Sequence, residues 1–274
     1  MDKSLRKGGS QIVKAIIEGI LDLIYPPICL LCRRDLEQGS EAGSEENSIG
    51  NQRQEKGAIC ADCLREIRPL LPPFCPLCGE QIIRFRELCE VCEREEPLPF
   101  VWRQSAGAYG GNLQHAIALL KYGGKSALAE PLGLFMVESL KARPVPLLCE
   151  TETEIPKVWT VVPVPLHPTR QRERGFNQAE RLAKVVSREM GWTMNTQDLK
   201  RTRKTPQQAG IKEKKRRQEN VVDAFRALKP DAFEGQSVLL IDDVLTTLAT
   251  AFECAVALKS GGAKEVAVLV LARG

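Results

Sequence analysis

Apolar residues recur every three or four positions in residues 113–122, 127–141, 177–190 and 251–260, the spacing of helices with one buried face. Between these segments, residues 159–164, 238–241 and 266–271 are short, β-branched and continuously apolar. Strands of a parallel sheet have this character when helices cover both faces. The alternation predicts an α/β domain over residues 100–274, a mostly parallel sheet flanked by helices. Near the start of the chain, Ile12, Val13, Ile16, Ile17, Ile20, Leu21 and Ile24 are interleaved with Lys14, Glu18 and Asp22. This pattern predicts an amphipathic helix over 10–25, inside an N-terminal segment 1–27 and stopped by Pro26-Pro27; packing on its own domain is preferred, with a membrane surface or a partner as the alternatives.

Residues 28–95 follow neither period. They contain four CxxC pairs: Cys29/Cys32, Cys60/Cys63, Cys75/Cys78 and Cys89/Cys92. A CxxC turn brings two thiolates to one side of a tight knuckle, and two knuckles supply the closed tetrahedral sulfur shell of a structural zinc site. Eight ligands suit two zinc ions, hence a double zinc ribbon. Pairing first with second and third with fourth is preferred; an interleaved arrangement is the alternative. Iron–sulfur ligation is the chemical rival, but its runs place cysteines closer together. Paired cysteines of this kind indicate metal in a reducing compartment rather than disulfides, which predicts a cytoplasmic protein. Cys149 and Cys254 have no nearby partner and read as ordinary small residues. Residues 37–57 are rich in Gly, Ser, Glu, Gln and Asn and predict a mobile insertion. The boundary with the α/β domain is expected at 95–100.

Composition adds limits. The 274 residues are 43% hydrophobic and 27% charged, the balance of a soluble globular chain. No stretch approaches the roughly 20 apolar residues of a membrane span, and the N-terminus lacks the apolar core of a secretory signal. The net charge of +4 is mild, so binding of anions or nucleic acid must come from local basic clusters.

The chemistry concentrates in VLLIDDVLTTLAT, residues 238–250. An apolar strand ends in two carboxylates, followed by hydroxyl residues and a helix beginning near Ala249. Open α/β sheets bind ligands at the carboxyl ends of their strands, where the next helix offers N–H groups to a phosphate. Adjacent carboxylates suit a diol or a magnesium-bound polyphosphate, and they repel each other when no cation or diol is present.

This segment resembles the type I phosphoribosyltransferases. The resemblance implies that Asp242 and Asp243 hold the ribose hydroxyls of phosphoribosyl pyrophosphate, with Thr246, Thr247 and Thr250 around its 5′-phosphate. That family has glycine or a small residue where this chain has Leu248. A leucine there is expected to take a negative φ or bear strain of about 1–3 kcal/mol, with its side chain crowding the phosphate or turned into the core, and to weaken binding. Two further segments are similar to the ComF family of amidophosphoribosyltransferase-like competence proteins. VVPVPLHPTRQRERGFNQAERLA, residues 161–183, matches its PVPLHP and RGFNQ pattern, which implies a pyrophosphate contact. TPQQAGIKEKKRRQENV, residues 205–221, matches T-x-x-Q followed by R-x-x-N through Thr205, Gln208, Arg217 and Asn220, which implies a hood closing over substrate. LKYGG, residues 120–124, fits as well. Lys121, Arg170, Arg172 and Arg174 are candidates for neutralising the departing pyrophosphate. The resemblance further implies magnesium with the substrate and a role in natural transformation.

The rival reading is a non-catalytic zinc-ribbon adaptor that binds single-stranded DNA or proteins of DNA uptake and recombination. Residues 200–217 carry nine basic side chains against one acidic, although no aromatic residue is interleaved for base stacking. Gly123-Gly124-Lys125-Ser126 mimics the end of a P-loop but follows a helical pattern rather than a strand. His115 and His167 have no nucleophile beside them and read as structural.

Overall fold

A computed structural model describes residues 28–36, 58–70, 72–75, 82, 88–89, 92–93, 98–142, 158–203, 223–246 and 248–273. The expected N-terminal helix over 10–25, the insertion over 37–57 and Cys149 lie outside these residues. The chain divides into two compact units, Met1–Glu66 and Ile67–Gly274.

In the smaller unit, Cys29 opens a turn closed by hydrogen bonds from its own amide to the Arg34 carbonyl and from the Arg33 amide to the Cys29 carbonyl. Arg33 takes the left-handed conformation that this turn requires, at φ 65°. Helix α1 (Ala61–Arg65) starts at Cys60, whose sulfur accepts from the Cys63 amide as an N-cap.

The larger unit contains β1 (Trp102–Ala108), α2 (Gly111–Tyr122), α3 (Ala129–Ala142), β2 (Thr160–Pro163), α4 (Pro168–Arg174), α5 (Gln178–Met190), β3 (Thr193–Met194), β4 (Leu199–Arg201), β5 (Phe225–Ala227), β6 (Ser237–Leu245), α6 (Ala249–Ser260) and β7 (Glu265–Arg273). Five strands form a sheet in the order β1-β7-β6-β2-β3 with every pairing parallel. Strands β4 and β5 form a separate antiparallel pair. The expected α/β architecture is therefore present, and the four periodic segments and three apolar runs appear as α2, α3, α5, α6, β2, β6 and β7.

Side chains alternate across β6 and β7. Val238, Leu240, Val266, Val268 and Val270 share one core with Cys254, Ala255 and Leu258 of α6. Leu239, Ile241, Ala267, Leu269 and Leu271, also buried, take the opposite face, where α3 and α5 lie. Those two helices approach closely because position 133 is glycine: a Cβ there would sit 2.6 Å from the Cβ of Val185.

Strand β1 and the short elements departed from the pattern. Arg103, Gln104 and Ser105 are fully or almost fully buried, so β1 carries polar residues where periodicity looks for apolar ones. Its polarity is compensated locally. Gln104 Nε2 donates to the carbonyl and Oγ of Ser139 on α3, at 2.9 and 2.7 Å, and Ser105 Oγ donates to the Gly107 carbonyl at 2.8 Å. Strand β6 also runs further than its apolar stretch suggests, through both carboxylates to Leu245.

Chain direction locates the crevice. From β2 the chain moves outward through α5 to β3; from β6 it moves the other way through α6 to β7. Strands β2 and β6 are neighbours, so the topology reverses between them, and the cleft outside their carboxyl ends is where ligands of such sheets bind.

Candidate functional site

The carboxyl end of β6 presents Asp242 and Asp243 to opposite faces of the sheet, which gives the two acids different chemistry. Asp243 is buried and paired with Lys121 from the last turn of α2, Nζ to Oδ1 at 2.7 Å. Its other oxygen, Oδ2, is buried and accepts no hydrogen bond. Burial opposes the charge on Lys121, but Asp243, and more weakly Asp242, hold its pKa above the ordinary lysine value. Asp242 accepts the Asp243 amide through Oδ1 at 2.8 Å. Burial first, and the neighbouring Asp243 charge second, push its pKa up to about 7. The expected repulsion between the acids therefore shows at Asp242, while Asp243 is held in an ion pair with Lys121.

Basic side chains surround this pair. Helix α4 is built by its sequence: His167 Nδ1 accepts from the Thr169 amide at 3.3 Å, Pro168 occupies the first turn, and Gly175 closes the helix at φ 79°. Arg174 donates to Gln178 Oε1 at 2.9 Å and lies over the exposed ring of Tyr122 at 5.0 Å. Burial and then the adjacent Arg174 lower the pKa of Arg170. Burial and then Arg170 do the same to Arg201. These guanidinium groups repel one another, a condition that a bound polyanion relieves. The RGFNQ segment has a structural part as well: Asn177 caps α5 by accepting the Ala179 amide at 3.1 Å and donates to the Val164 carbonyl at 3.0 Å, fixing the helix start to the end of β2.

Between β6 and α6 runs the candidate phosphate loop. Thr246 is exposed and Thr250 half-buried; Thr247 lies outside the described residues. Leu248 adopts φ 61° and ψ −21° at the N-cap of α6, which has no side-chain cap and no acidic residue in its first turn. The residue thus takes the left-handed conformation that glycine would take, and its side chain packs against the core around α6. The expected alternatives resolve into strain in the backbone and a side chain turned away from the loop.

The structure thus links Asp242, Asp243, Lys121, Arg170 and Arg174 at the carboxyl end of β6, with Thr246, Leu248 and Thr250 in the segment that follows this strand into α6. Thr205, Gln208, Arg217 and Asn220 lie outside the described residues. Arg201 was missed from sequence, where it sat anonymously in a basic run. It closes β4 opposite Phe225 of β5, stacks on that ring at 5.3 Å and faces Asp242. Cys254 is buried against the same core, and its thiol is pushed well above its ordinary pKa by burial and by Asp242, which suits an inert core residue. Gly123 and Gly124 follow helix α2 rather than a strand, so residues 123–126 are not a P-loop.

The cysteines form two separate groups. Cys29, Cys32, Cys60 and Cys63 lie with all sulfurs within 4.8 Å of one another, and so do Cys75, Cys89 and Cys92; Cys78 lies outside the described residues. A tetrahedral zinc with bonds of about 2.3 Å requires sulfurs about 3.8 Å apart, and the Cys32 and Cys60 sulfurs are 3.7 Å apart. Knuckle amides point at sulfurs in both groups: Cys60 N to Cys29 Sγ and Cys89 N to Cys75 Sγ, each 3.3 Å. The Arg34 amide and guanidinium lower the Cys32 thiol to about 6, while burial and the neighbouring sulfurs push Cys63 up. Four such thiols ionise together only around a cation, so each group could hold zinc, and the grouping follows the in-sequence pairing.

No protein-family model matches this chain. Competence protein F of Haemophilus influenzae is 30% identical over 231 residues, which are 82% of this chain and 94% of that protein. The chain belongs to the ComF family. DNA utilization protein YhgH of Escherichia coli O157:H7 is 30% identical to this ComF-family chain over 252 residues, covering 92% of it and 99% of YhgH. Competence protein ComFC of Bacillus subtilis is 28% identical over 257 residues, covering 91% and 96%. No helix among the described residues is long and apolar enough to cross a membrane.

Proposed function

We propose that this ComF-family chain is a cytoplasmic, type I phosphoribosyltransferase-like protein that binds phosphoribosyl pyrophosphate and serves DNA uptake, a role in keeping with relatives named for competence and for DNA utilization. The observation that carries the reading is the crowding of Arg170, Arg174 and Arg201 beside an acidic pair at the switch point of a parallel sheet. A diol attached to a polyphosphate matches that charge pattern. In this reading Asp242 and Asp243 accept the ribose hydroxyls, with the buried Asp243 Oδ2 gaining its missing partner. The first N–H groups of α6 together with Thr246, Thr247 and Thr250 hold the 5′-phosphate. Lys121, Arg170, Arg174 and Arg201 face the pyrophosphate, whose departing charge they stabilise.

Magnesium fits this site only as part of the ligand. One carboxylate is committed to Lys121 and the other has a raised pKa, so the protein alone offers too little negative charge for a resident dication; substrate oxygens and waters supply the rest of its shell. Magnesium there neutralises phosphate charge. The test is a thermal-shift titration with phosphoribosyl pyrophosphate and magnesium. Ligand at 100 times its dissociation constant stabilises by about 2.7 kcal/mol, whereas magnesium alone should leave the melt unmoved. Absence of a shift at millimolar ligand contradicts the reading. The basic run at 200–217 favours the DNA-binding adaptor as second reading, which predicts retention of single-stranded DNA that weakens steeply with salt.

A further inference from the structure

Arg103 is fully buried on β1. Its Nη2 donates to Cys92 Sγ at 3.6 Å, its Nε and Nη1 have no hydrogen-bond partner, and its guanidinium lies 5.9 Å from the centre of the Phe100 ring. Among the described residues no carboxylate pairs with it. Folded proteins do not keep a buried guanidinium without compensating negative charge. The sulfur it touches belongs to the buried group Cys75, Cys89 and Cys92, with Cys92 N also donating to Cys89 Sγ at 3.4 Å. Neutral thiols supply no charge, whereas a closed thiolate shell outweighs the zinc at its centre and stays net negative.

We propose that Arg103 is the positioning residue of the second cysteine site: its guanidinium holds the Cys92 thiolate and balances the zinc–thiolate charge, so that metal occupancy of this site secures β1 in the sheet. The connection is direct. Arg103 sits opposite Val268 in the β1–β7 register, the Val101 amide donates to the Val266 carbonyl at 2.8 Å, and β7 in turn pairs with β6 with Val270 opposite Asp242. The second cysteine group falls in the same compact unit as the sheet, whereas the first group does not. The two sites therefore differ in role: the second is part of the unit that carries the crevice.

The test uses full-length protein with its zinc. Arg103→Leu should release one zinc to a chelator about 10- to 100-fold faster, the range that outer-shell partners control, while the other zinc is retained as in the native chain. Arg103→Lys should restore part of that retention. In cobalt-substituted protein, Arg103→Leu should shift the thiolate-to-metal charge-transfer bands of one site, because a thiolate that loses an N–H donor is a stronger electron donor. Native release rates and bands in a folded Arg103→Leu, even with a lowered melting temperature, would overturn the proposal. Should that variant not fold, Trp159→Phe/Trp192→Phe protein that keeps Arg103 decides: stepwise removal of zinc should change the fluorescence of its remaining Trp102 at one of the steps, and zinc should restore it. Fluorescence unaltered by loss of either zinc also overturns it.

Discussion

Asp242 and Asp243 are adjacent in sequence and opposite in environment, and their asparagine variants should separate in a thermal melt. An unfolded aspartate ionises near pH 3.9, and folded Asp242 near 7. Between those values the folded state holds the extra proton, so stability falls as pH rises, with the full cost present above about pH 7. Asp242→Asn should therefore melt with the native protein near pH 4 and above it at pH 8. Asp243→Asn strips a largely buried Lys121 of its counter-ion and should cost about 3 kcal/mol, or roughly 6–12 °C for a unit of this size. Equal responses of the two variants would contradict the assigned environments. Leu248 makes a third case. Its left-handed backbone costs about 1–2 kcal/mol, offset by core contacts of the side chain. Because glycine loses more chain entropy on folding, Leu248→Gly should change stability by less than about 1 kcal/mol. Phosphate affinity should change little, since the backbone already occupies the glycine conformation. A tenfold gain in affinity on calorimetric titration would mean that the leucine obstructs the loop.

Helix α5 illustrates how a motif can be structural and functional together. Asn177 joins its first turn to Val164, so Asn177→Ala should cost about 1–2 kcal/mol for the cap, with a buried carbonyl left unpaired in addition. The melt should show that loss, and ligand affinity should fall as well, because α4 and its arginines enter α5 through this residue. Elements with a regular apolar period were legible from sequence: α2, α3, α5, α6, β2, β6 and β7 all follow their patterns. Strand β1 was not, because Arg103, Gln104 and Ser105 find partners in Cys92, in α3 and in Gly107 rather than in apolar burial. Strands β3, β4 and β5 span two or three residues each, too few to establish an alternation. Their place depends on contacts with distant parts of the chain.

For the whole molecule, the crevice results from convergence of segments far apart in sequence. The acidic pair, the threonine loop, Lys121 and the α4 arginines could be named in advance because each stands in a recognisable local motif. Arg201 could not, since nothing in a basic run marks in advance a cation that turns toward Asp242. The division of labour within Asp242-Asp243 was equally hidden, as it depends on the α2 terminus reaching one face of β6. The central claim is that this arrangement binds a ribose carrying a polyphosphate. A calorimetric titration of phosphoribosyl pyrophosphate at pH 8 tests it most directly, on the native chain with and without magnesium and on Arg201→Ala. Saturable binding near one ligand per chain, dependent on magnesium and at least about tenfold weaker without the Arg201 guanidinium, is the predicted result. No saturable heat at millimolar ligand, or equal affinity in native and Arg201→Ala protein, would contradict it.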